Sequence, residues 1–162
     1  MLILIDGHNL IPKIPGMSLA DPDDENQLIS LLQFYCRARR HTVEVYFDRA
    51  PLGQAGKRGH GQVTAIFVRD GITADEAIMA RLKALGKRAK NVKVVSSDRQ
   101  VQAAVRGAHA GLVTSEEFSH ELQVIMEETP SIDPRNRLLS DEELTEWETL
   151  FRRGHPPVGK KD

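Results

Sequence analysis

The sequence predicts an α/β domain of three layers, with helices on both faces of a mainly parallel sheet. Five short apolar runs, at 2–5, 43–47, 63–68, 92–95 and 112–114, are spread along the chain, and segments with helical spacing separate most of them. Strands alternating with helices are the pattern of a parallel sheet joined by crossovers. The first run, Leu2-Ile3-Leu4-Ile5, is apolar at every position, as a strand buried on both faces requires.

In chain order, 2–5 is the first strand, and a loop rich in Pro and Asp follows it. Residues 25–40 place Leu28, Leu31, Leu32 and Tyr35 on one helical face, with Asp23 or Asp24 as the cap. Cys36 falls in that pattern and reads as a packed residue. The second strand, 43–47, ends at Asp48. Residues 49–62 read as a loop, because four glycines in that span discourage a regular element. The third strand, 63–68, precedes a helix over 74–88, where Thr73 and Glu76 have capping-box spacing. The fourth strand, 92–95, leads into a helix over 98–106 with Gly107 at its C′ position. A short fifth strand, 112–114, and a helix over 115–127 complete a domain of residues 1–129. Residues 130–154 read as a linker and a helix opened by Ser140 and Glu143. Leu144, Trp147 and Phe151 of that helix either dock on the same core or present Trp147 to a partner. Residues 155–162 read as a disordered tail.

A chain of 162 residues can bury one sizeable core. Its formal net charge of −1 gives no global basic field, although local patches remain possible in a balanced chain. One cysteine excludes an intramolecular disulfide and fits a reducing compartment. The N-terminus lacks the pattern of a signal peptide, and no apolar run approaches the ~20 residues of a membrane span. The expectation is a cytoplasmic enzyme or binding module that does not enter a membrane.

Acids cluster where an open parallel sheet places its sites, at the carboxyl ends of its strands. Asp6 ends the first strand, Asp48 the second, Asp98 follows the fourth, and Asp75 opens the helix after the third. At one rim these carboxylates would repel one another and raise each other's pKa values. Mg2+ or Mn2+, which prefer carboxylate oxygens, relieve such crowding and support phosphodiester cleavage. Each acid also has a structural account. Asp75 suits the first turn of a helix, Asp98 the start of the next, and Asp48 can pair with Arg49. Asp6 leaves a buried strand directly and needs a helix N-terminus, a hydrogen-bonded loop or a metal. Asn9 can orient a carboxylate, bond a phosphate or cap a turn. His8 has no second histidine at ligand spacing.

The segments "ILIDGHNLI", "VEVYFDRA", "TADEAI", "VVSSDRQVQ" and "GAHAGLVTSEEF" occur in the order and spacing of the YacP-like branch of the NYN-domain ribonucleases, which resemble PIN domains. The resemblance covers roughly residues 2–127. It implies a PIN-like α/β/α sandwich with a five-stranded sheet ordered 3-2-1-4-5, and metal-dependent endonucleolytic cleavage of RNA. Asp6 and Asn9 match the first motif, Asp75 the third and Asp98 the "SD" motif, with Asp48 after the second strand. The first motif of the family usually reads Asp-Gly-Tyr-Asn, and His8 stands here at the Tyr.

The resemblance implies that Asp6, Asp75 and Asp98 hold one or two Mg2+ or Mn2+ ions, with Asp48 on the metal or one layer out. Products would carry 5′-phosphate and 3′-hydroxyl ends. Asn9 and Ser97 would position ligands or phosphate. Lys57, Arg58 and His60, in the glycine-rich loop, are candidate RNA contacts or simply a solvated surface. RNA, in preference to DNA, follows from the resemblance, which also permits action on a ribosome-bound message. The basic residues Arg37, Arg39 and Arg40, and Lys87, Arg88 and Lys90, complement helix C-termini. The contrasting class is a non-catalytic RNA-binding module with the same fold. A receiver domain would need an acidic pair after the first strand and a Lys after the fifth, and "DGHN" and "LVTSEE" supply neither. A dinucleotide site would need G-x-G-x-x-G after the first strand.

Overall fold

The fold comes from a computed structural model, and the structure describes residues 1–50 and 53–128. The predicted linker, C-terminal helix and tail lie outside the described residues. Six strands form one sheet: β1 (Leu2–Asp6), β2 (Thr42–Phe47), β3 (Gly56–His60), β4 (Val63–Phe67), β5 (Val92–Val95) and β6 (Gly111–Val113). Their order across the sheet is β3-β4-β2-β1-β5-β6. Every pairing is parallel except that of β3 with β4. The five predicted strands therefore appear in the implied order, and β3 is added at one edge.

Alternation along the strands builds the three layers. Ile3, Ile5, Val43, Val45, Phe47, Val63 and Ala65 share one core with Leu28, Leu31 and Leu32 of α2 (Asp24–Arg39) and Phe118 and Leu122 of α5 (Ser115–Glu127). Leu4, Tyr46 and Val94 point the other way, into a second core with Ile78 and Leu82 of α3 (Ala74–Leu85) and Val101 and Val105 of α4 (Arg99–Gly107). Residues i and i+1 of one strand thus feed opposite faces, as the pleat dictates. Cys36 is fully buried in the first core, and burial pushes its thiol up to about 12. Among the described residues, no helix is long and apolar enough to cross a membrane.

Four local expectations are corrected. Residues 56–60 of the predicted loop form β3, an edge strand closed onto β4 by a two-residue turn with Gly61 at φ 69°. Its side chains are mostly exposed, so backbone pairing alone makes the strand and no apolar alternation announces it. Immediately after β1, Gly7–Leu10 makes one helical turn, α1, and Ile11–Lys13 a 3-10 turn. The predicted helix over 74–88 ends at Leu85 and continues as a 3-10 segment, Gly86–Asn91. Gly107 is the last residue of α4, and the left-handed position falls on His109, φ 59°.

Candidate active site

β1 lies between β2 and β5, so chain connections leave it in both directions, and its carboxyl end is where an open sheet of this kind places a site. Asp6 stands there, 8% exposed. It is the N-cap of α1, and its Oδ1 accepts the Asn9 amide at 3.3 Å. Burial, then the hydrogen bond and charge of Asp75, push the Asp6 carboxyl up to about 7 against the pull of that amide, and Asp48 adds its charge. A hydrogen bond between two carboxyl groups requires one proton between them. Asp6 therefore keeps its proton well above the usual carboxylate range.

Local sequence fixes Asp75. Thr73 caps α3, with its Oγ1 accepting the Glu76 amide at 3.1 Å and Glu76 accepting the Thr73 amide at 2.9 Å. One turn further along, Arg81 ties α3 to β2 by a two-pronged ion pair with Glu44, 3.0 and 2.9 Å. Tyr46 also donates to Glu44 at 2.7 Å. The first turn of α3 is thus anchored over the end of β1.

Asp48 follows β2 and is held by His8. The Nδ1 of His8 lies 2.9 Å from Asp48 Oδ1, and its Nε2 lies 2.8 Å from Oε2 of Glu25, in the first turn of α2. The bond to Glu25 and then that to Asp48 push the imidazole up to about 9, although burial opposes them. The ring also leans on Phe47, with centroids 5.3 Å apart.

Asn9 joins the remaining elements. Its Oδ1 accepts the Ser97 amide at 3.0 Å and the Ser115 hydroxyl at 2.5 Å. The Ser97 hydroxyl accepts the Ser115 amide at 3.0 Å and donates to Glu116, which also pairs with Lys13 at 3.3 Å. The segment after β5 and the start of α5 are thereby pinned to α1.

The structure thus brings Asp6, Asp75 and Asp48 together, with Asn9 and Ser97 beside them. Asp98 lies on the same edge, three residues beyond Val95, the partner of Ile5. Its Oδ1 caps α4, accepting the amides of Gln100 at 2.8 Å and Val101 at 3.2 Å. Among the described residues, no three His, Cys, Asp or Glu side chains are grouped to hold a metal as they stand. Oxygen donors and crowded negative charge nevertheless suit Mg2+ or Mn2+, which would relieve that crowding.

The basic candidates separate. Gly56 pairs with Phe67 at the acidic edge, so β3 runs away from the site and His60 reaches the opposite edge beside Val63. There His60 accepts from Gln33 through its carbonyl, and it is not brought to the acids. Lys57 is exposed one residue from the acidic edge. The Arg58 guanidinium lies over the Phe67 ring, 4.6 Å from its centroid. Glu25, Ser115 and Glu116 were not anticipated. Each sits in the first turn of a helix, where polar and acidic residues are ordinary, so spacing carries no signal of a site.

Gly7 is the joint of this arrangement. A methyl group there falls onto the ring of Phe47, 2.6 Å from Cδ1, and Phe47 is fully buried between His8 and Phe67. Gly7→Ala is expected to cost roughly 1–3 kcal/mol by overpacking. Thermal unfolding checks it, with a fall of about 2–4 °C expected per kcal/mol. An unchanged midpoint would show that Phe47 yields freely.

The chain is similar to known proteins over most of its length. The family model described as "YacP-like NYN domain" matches residues 3–152. A Bacillus subtilis (strain 168) protein described as "Uncharacterized protein YacP" is 26% identical over 165 aligned residues, covering 94% of this chain and 97% of the relative. The crystal structure of Rae1 (YacP) from Bacillus subtilis superposes with a TM-score of 0.65 at 26% identity, covering 95% of each chain. Its W164L mutant gives 0.67 at 25% identity, covering 94% of this chain and 95% of that one. With its α/β fold and its acids at the carboxyl edge of the sheet, the chain belongs to the YacP-like NYN domain family, whose domains are generally nucleases or otherwise RNA-related.

Proposed function

We propose that the protein is a metal-dependent endoribonuclease whose site is built on Asp6, Asp75 and Asp98, with Asp48 and Asn9 beside them. One observation carries this reading: Asp6 is buried at the sheet's switch point and hydrogen-bonded to Asp75, with the charge of Asp48 close by. Bringing like charges together inside a fold is costly, and a divalent cation offsets that cost. Asp6 and Asp75 would hold Mg2+ or Mn2+ with their carboxylate oxygens. Asp98 would contribute Oδ2, since its Oδ1 serves the helix cap. When bound, such an ion supplies Lewis acidity, acidifying water and offsetting charge on the cleaved phosphate.

The protein's own groups do the rest. Asn9, with its carbonyl oxygen committed to Ser97 and Ser115, has only its amide N–H groups left to offer a phosphate. Lys57 and Arg58 on β3 would hold the RNA strand through its phosphates, a contact that positions without reading sequence. Hydrolysis would leave 5′-phosphate and 3′-hydroxyl ends. Family membership supports RNA as the polymer.

The test is cleavage of end-labelled single-stranded and structured RNAs by the full chain with Mn2+, Mg2+ or EDTA. Cutting with either metal and none in EDTA is the expected result. Folded protein that binds RNA yet cuts none with either metal would favour the non-catalytic binding module.

A further inference from the structure

Three segments distant in sequence meet at His8. Asp48 comes from the end of β2, His8 from α1, and Glu25 from the first turn of α2. Both ring nitrogens face carboxylate oxygens, which only accept hydrogen bonds, so both nitrogens donate and the ring is gripped from opposite sides. With one bond alone, only the Phe47 contact would oppose turning of the ring about its side-chain torsions. The second, on the far nitrogen, fixes its plane, as an outer partner does for a working histidine. Glu25 is itself well anchored, because α2 runs 16 residues and buries Leu28, Leu31 and Leu32.

Asp48 needs such a hold. Its charge acts on Asp6, and like charges repel. Its side chain is 27% exposed, and Arg49 beyond it takes the left-handed backbone conformation, φ 60°. An untethered Asp48 would swing toward water.

We propose that Glu25 is a positioning residue of the site: through His8 it holds the Asp48 carboxylate beside Asp6. The catalytic consequence rests on the nuclease reading, whereas the clamp rests on the hydrogen bonds themselves.

Two readouts test it on the full chain. In NMR spectra of the wild type, both His8 ring N–H protons are expected to be protected from exchange. Glu25→Ala should lose both, including the Nδ1 proton that faces Asp48. Glu25→Gln keeps an acceptor and should retain both. Glu25→Asp keeps the first-turn charge but is too short to reach His8, so it should behave as Glu25→Ala. In cleavage assays Glu25→Ala should lower kcat about tenfold at unchanged KM, the scale of losing an outer partner, and Glu25→Gln should restore it. A folded Glu25→Ala or Glu25→Asp protein with a protected Nδ1 proton and wild-type kcat would overturn the proposal. So would a change confined to KM, which would put Glu25 on the RNA. Wild-type protein that cuts no RNA defeats the nuclease reading instead, and the ring protons then decide the clamp alone.

Discussion

Replacing Asp75 with Asn is expected to reduce RNA cleavage by roughly 10²–10³-fold, the scale of losing one charge stabiliser in a preorganised site. The substitution keeps the size of the side chain and its place in the first turn of α3. The capping box of Thr73 and Glu76 and the Arg81–Glu44 pair hold that turn without help from Asp75. The fold should therefore survive, and circular dichroism with thermal unfolding checks that it does. Asp6→Asn should lose activity to a similar extent. Cleavage by either variant within about threefold of wild type would remove the pair from the chemistry, given that a single such group usually counts for far more.

The second large effect concerns stability, and it runs in the opposite direction. Without metal, Asp6→Asn is expected to stabilise the protein at pH 8. In the folded protein the Asp6 carboxyl is pushed up from 3.8 to about 7, chiefly by burial and then by Asp75. Between those pH values the folded state binds the proton more tightly than the unfolded chain does. Stability contributed by this group is therefore full below about pH 4, declines as pH rises toward 7, and stays low above it. A shift of that size corresponds to a few kcal/mol, on the order of 4 before relaxation reduces it. Asn carries no charge, and its amide can donate to Asp75 in place of the Asp6 carboxyl proton. The unfolding midpoint of the variant should exceed that of wild type by several degrees at pH 8, at about 2–4 °C per kcal/mol, and by much less at pH 4. Added Mn2+ should raise the wild-type midpoint and close the gap. A variant less stable than wild type at pH 8 in EDTA would show that Asp6 contributes to folding rather than opposing it.

Asp6 shows what the residues alone could tell. A carboxylate straight after Leu2-Ile3-Leu4-Ile5 needs a partner, and the possibilities were a helix end, a hydrogen-bonded loop or a metal. The first is present, since Asp6 caps α1, and Asp75 supplies a second contact. The helix itself was hidden. Four residues opened by glycine carry no period to detect, and α1 forms because β1 delivers Asp6 to its N-terminus. β3 was hidden for a related reason. Its Gly-Lys-Arg-Gly-His sequence has no buried face, so pairing with β4 decides the strand. That pairing also carried His60 to the wrong edge for contact with the acids.

The sequence by itself determined the layers, the central strands and the acids at their ends. Continuous apolar runs demand burial on both faces, and capping residues such as Thr73 set where a helix begins, so both are decided over a few neighbouring residues. Tertiary structure alone decided which acids meet. Asp75 reaches Asp6 because α3 is fastened across β2, and Asp98 turns one oxygen to its own helix. It alone made His8 the bridge between Glu25 and Asp48. Those contacts join residues 17 and 40 positions apart, and a hydrogen bond of 2.8 or 2.9 Å depends on where the sheet and α2 set their ends rather than on any local pattern.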